Sequence, residues 1–204
     1  MGTAEFERLL GRLCAPTFRA IKAGSLVALP KKDGDDIAGQ LSRYVPCLAK
    51  SGTALFCLAD GPSRLLVLFY RPAALESALN RPGARRLLER CGYPRNAPLK
   101  KRLAHLKRRI AECEVFPHEI GLFLGYPPRD VRGFIEHRGR DFTCCGYWKV
   151  YGDAARARAL FDRYDVCTTA FCRKLSAGVP MAALLPAEAR SGRETDLALG
   201  GMDG

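Results

Sequence analysis

The sequence predicts an α+β fold: a small, mainly antiparallel sheet of about four strands packed against several helices. Three observations support this. Two β-rich runs, Thr53–Ala59 and Arg64–Arg71, are separated by Asp60-Gly61-Pro62-Ser63, a hairpin signature. The helical segments do not alternate regularly with strands, as a parallel sheet would require. No glycine-rich phosphate loop follows any strand, so dinucleotide-binding and P-loop architectures have no support.

The elements follow in order. Residues 4–23 read as a helix, with Phe6, Leu9, Leu10, Leu13 and Phe18 near helical spacing and an interruption at Pro16. Ser25–Pro30 is a short strand. Asp35 or Asp36 caps a helix that runs to about Lys50. In the hairpin, Leu65–Tyr70 is continuously apolar, which predicts a central strand covered on both faces. Helices over about 73–80 and 83–91 come next, the second closed by Cys91-Gly92-Tyr93-Pro94. Leu99–Glu114 is amphipathic, with Leu99, Leu103, Leu106, Ile110 and Cys113 forming one narrow seam. Pro117 opens a short helix to Leu124, and Pro128 opens another that ends at Gly139. Tyr147–Tyr151 is a strand whose alternation places Trp148 and Val150 inward, opposite Tyr147, Lys149 and Tyr151. Ala154–Leu175 is a long helix. A single domain is expected over 1–180, followed over 181–204 by a disordered tail, since RSGRETDLALGGMDG lacks an apolar face.

The chain has 204 residues, 48% hydrophobic and 26% charged, an ordinary composition for one globular domain. No apolar run approaches the roughly 18 residues that a spanning helix needs, and MGTAEFERLL is not a secretory signal. Phe6 breaks the myristoylation pattern that Met1-Gly2 begins. The expected setting is the cytoplasm. Nine cysteines form no C-x-x-C framework, and Cys14, Cys47, Cys57, Cys91 and Cys113 fit small buried hydrophobes.

Charge is the strongest chemical signal. The net charge is +12, and Arg81–Arg109 supplies most of it, with eleven basic residues and one acid, Glu89. Such a face attracts phosphate-bearing ligands or nucleic acid. Arg85, Arg86, Lys100, Lys101, Arg102, Lys107, Arg108 and Arg109, with Lys149, are the candidate anion-binding residues. A general abundance of arginine is the competing source of this charge.

The stretch FPHEIGLFLGYPPRDVRGFIEHRG and the stretch CCGYWKVYGD resemble an uncharacterised bacterial family, domain of unknown function 3793, found mainly in anaerobic Firmicutes. The similarity covers about residues 10–176 and includes a weaker match at Cys14-Ala15-Pro16-Thr17 and Lys22. It implies one α+β domain in an anaerobic, cytoplasmic setting. It assigns no activity, cofactor or catalytic residue.

The same stretches admit further chemistry. The vicinal Cys144 and Cys145, with His118, could bind a soft metal or act in thiol redox chemistry, although no pair has zinc-finger spacing. Ile120, Gly121, Leu124, Gly125, Tyr126, Val131 and Phe134 approximate a helix-turn-helix, with Arg129 and Arg132 early on the second helix, where base edges are met. His118-Glu119 could serve as an acid or base, but a buried His118 bonded to a backbone carbonyl is the plainer reading. The cofactor and the protein partners are left unassigned by the sequence.

Overall fold

The structure, a computed structural model, describes residues 2–32 and 36–187. Strands β1 (Gly24–Pro30), β2 (Ala54–Asp60) and β3 (Arg64–Tyr70) form one antiparallel sheet in the order β1-β3-β2. The apolar β3 is therefore central, and both of its faces are covered. Leu65, Val67 and Phe69 point into one core, and Leu66 and Leu68 into the other. The first core is roofed by α1 (Thr3–Phe18), α2 (Ile37–Lys50) and α8 (Ala154–Ser176). The second is roofed by α3 (Pro72–Leu79), α4 (Pro82–Arg90), α5 (Leu99–Glu112), α6 (Ile120–Phe123) and α7 (Pro128–Glu136).

The predicted fourth strand does not join this sheet. Its centre, β5 (Lys149–Val150), pairs with β4 (Cys144–Cys145) as a separate ribbon. The strand is short because the Tyr151 amide is already committed, donating to Asp130 Oδ1 at 2.9 Å. The alternation holds: Trp148 and Val150 are buried, and with Ala157, Phe161 and Tyr164 of α8 they make a third, small core.

Helix α6 begins at Ile120 rather than Pro117, α5 and α7 stop two or three residues early, and two further boundaries differ from the sequence reading in ways that reshape the fold. Helix α1 stops at Phe18 rather than continuing to residue 23, because Ala20 takes a left-handed conformation (φ 59°). The amides of Ile21 and Lys22 then turn back onto the Pro16 carbonyl, at 2.8 and 3.0 Å. At the other end, Met181–Leu184 forms α9 and buries Met181 completely against the first core. Glu7 holds it there, accepting from the Met181 amide at 3.2 Å and the Tyr44 hydroxyl at 3.0 Å. The folded domain thus extends past residue 180, and the remainder of the expected tail, from residue 188, lies outside the described residues.

Candidate functional site

The basic segment folds as two helices on the second core. Helix α5 buries Leu103 and Leu106, and its opposite face carries Lys100, Lys101, Ala104, Lys107, Arg108 and Ala111, all exposed. These positions recur at helical spacing, so four cations share one stripe. Lys100, Lys101 and Lys107 have no ion-pair or hydrogen-bond partner among the described residues. Arg108 contacts the His105 ring at 2.8 Å and Glu112 at only 3.8 Å. On α4, Arg86 is exposed and Arg85 donates to Asn96 Oδ1 at 2.6 Å.

Two of the predicted cations do not belong to this face. Arg102 is only 6% exposed and donates to Asn80 Oδ1 at 2.9 Å, while its Nη1 is buried without a partner. Arg109 turns inward and pairs with Glu119, whose side chain is 3% exposed and also accepts from the Tyr93 hydroxyl at 3.3 Å. Burial pushes Tyr93 far above the ordinary tyrosine range, and Glu119 adds to this. Both arginines sit beside the apolar seam, where a long side chain reaches past its neighbours into the interior. Lys149 is also occupied, since it donates to the Gly139 carbonyl at 2.7 Å and lies 4.8 Å from the Phe142 ring centroid.

The thiol and helix-turn-helix residues are placed as follows. Cys144 is half-buried against the third core and Cys145 is exposed. His118 is exposed and meets the Phe134 ring edge-on at 4.9 Å, rather than being buried on a carbonyl. Among the described residues, no three His, Cys, Asp or Glu side chains gather as a metal site. Burial raises the thiol pKa of Cys14, Cys47, Cys57, Cys91, Cys167 and Cys172, which keeps them protonated. The first helix of the supposed helix-turn-helix, α6, is a single turn. On α7, Arg129 and Arg132 are exposed, but Arg132 lies 3.7 Å from Glu136. The same helix buries Asp130, which accepts from Trp148 Nε1 at 2.8 Å and so ties α7 to the ribbon.

Lys22 was not among the expected site residues. The turn at Ala20 carries it into a setting of three rings, with Nζ 5.5 Å from the Tyr126 centroid, 5.9 Å from Tyr147 and 6.0 Å from Tyr164. The ring faces attract a cation, but no carboxylate pairs with it among the described residues. Burial prevails and lowers the amine to about 8. The rings come from three separate segments, so no local pattern marks the site. The quoted similarity at Lys22, Tyr126 and Tyr147 was the one available signal.

The family model described as "Protein of unknown function (DUF3793)" matches residues 10–185. The chain belongs to that family. No curated protein and no solved structure matches it. No described helix is long and apolar enough to cross a membrane.

Proposed function

We propose that this chain is a binding module for an anionic partner, and that it engages a phosphate-bearing polymer such as nucleic acid along the outer face of α5. One observation carries the reading: Lys100, Lys101 and Lys107 are exposed on one stripe without partners among the described residues, with Arg108 only loosely engaged. The two cation pairs lie two turns apart, about 10 Å along the axis. A convex face with charges spread in this way suits an extended polyanion better than one small phosphate ligand. Arg85 and Arg86 extend the favourable field, whereas Arg102 and Arg109 serve the fold. A metal-dependent activity at Cys144 and Cys145 has less support, because no third ligand joins them among the described residues.

The test is fluorescence anisotropy with a labelled single-stranded oligonucleotide at low salt. Lys100→Glu/Lys101→Glu/Lys107→Glu should weaken binding at least tenfold. Arg156→Glu/Arg158→Glu/Arg173→Glu, an equal charge reversal at exposed positions on α8, should change it far less. Equal losses in the two variants would reduce the effect to net charge, and no binding by the native chain would end the proposal.

A further inference from the structure

We propose that Lys22 is an amine nucleophile that captures a small carbonyl compound as an imine beside the exposed ring of Tyr147. The inference is independent of the basic face and rests on three features. First, the amine is enclosed by Tyr126, Tyr147 and Tyr164, and no carboxylate among the described residues holds it as a cation. An enclosed, unpaired lysine is the usual way in which a protein makes this amine nucleophilic near neutral pH.

Second, two of the ring hydroxyls are already engaged elsewhere. Tyr126 donates to the Tyr147 carbonyl at 3.1 Å and Tyr147 to Asp165 Oδ1 at 2.8 Å. These bonds hold the ring faces as flat apolar walls around Nζ. Third, the enclosure is not sealed, since Lys22 itself is only half-buried and the neighbouring Tyr147 is 37% exposed. Flat walls of this kind favour an aromatic or unsaturated aldehyde or ketone.

The charged and titratable groups around Lys22 agree with this role. Cys14 on α1 is fully buried, and burial pushes its thiol up, so it stays neutral. Tyr126, Tyr147 and Tyr164 are each pushed up to about 12, chiefly by burial, and remain neutral as well. Asp165 is tied to Tyr147, and Arg163 acts on Tyr164 from the same helix. In the step itself, the Nζ lone pair adds to the carbonyl carbon and the carbonyl oxygen takes a proton. The resulting carbinolamine loses water, and a C=N bond replaces C=O. One water leaves for each imine formed, and no oxidant or reductant is required.

The test uses the full chain with benzaldehyde as the probe, trapped by sodium borohydride and mapped by peptide mass spectrometry. At pH 7 an amine titrating at about 8 holds roughly 300 times more free base than one at the ordinary 10.5. Enclosure consumes part of that advantage. Lys22 should still be benzylated at least tenfold faster than the exposed Lys50 and Lys174, with a rate that rises through a midpoint near 8. Lys22→Arg should remove that adduct alone. Labelling less than tenfold faster than at Lys50 and Lys174, or a midpoint near 10.5, overturns the proposal. The native chain gives this answer by itself, whether or not the variant folds.

Discussion

Replacing Arg109 with alanine strips the Glu119 carboxylate of the only cation that pairs with it among the described residues, while leaving it buried. The Tyr93 hydroxyl, at 3.3 Å, is then its one remaining side-chain partner. Breaking a buried pair from one side costs about 3–5 kcal/mol. Arg109 is itself 29% exposed, so solvent screens part of the pair. The expected loss in Arg109→Ala is therefore at the lower end of that range, about 3 kcal/mol. Urea unfolding followed by Trp148 fluorescence measures it, since Trp148 is the only tryptophan and is 8% exposed. Adding Glu119→Gln should restore more than half of the loss at pH 7. A deficit below about 1 kcal/mol at pH 7, or one that Glu119→Gln does not reduce, would refute the assignment of Arg109 to the interior.

Two further outcomes are expected. Asp130→Ala leaves the Trp148 indole N–H and the Tyr151 amide without their acceptor, so it should cost about 2–4 kcal/mol and shift Trp148 emission, as a urea melt and an emission spectrum would show. Lys22 has a folded-state value of about 8, below the ordinary 10.5. From about 8 to 10.5 the unfolded chain therefore holds a proton that the folded chain has lost, and the stability contributed by this group rises across that window. Lys22→Met should accordingly stabilise the protein more at pH 7 than at pH 10; a difference between the two melts that does not vary with pH contradicts the burial of the amine.

The sheet was legible because its signals are local. Leu65–Tyr70 has no polar residue to turn toward solvent, and it proved to be the strand covered on both faces. The inward pair Trp148 and Val150 followed from alternation alone. What could not be read is what depends on distant partners. Arg102 and Arg109 belong to the same basic run as Lys101 and Arg108. Helical position sets Arg102 and Arg109 beside the apolar seam, but only the approach of Asn80, 22 residues away, and of Glu119, 10 residues away, shows that they are taken up by the fold. Helix α9 is four residues long, too short for a period to be measured, and its place is fixed by Glu7 from the opposite end of the chain. Lys22 is harder still, because its rings are supplied by residues about 100 or more positions further along the chain.

The central claim is that the outer face of α5 binds a polyanion, and its salt dependence is the most direct measurement. Each phosphate neutralised on a single strand contributes about −0.7 to the slope of log K against log salt. Four cations predict a slope near −3 for the native chain, falling to about −1 in Lys100→Glu/Lys101→Glu/Lys107→Glu. A native slope near zero, or one that the triple substitution leaves unchanged, would contradict the account.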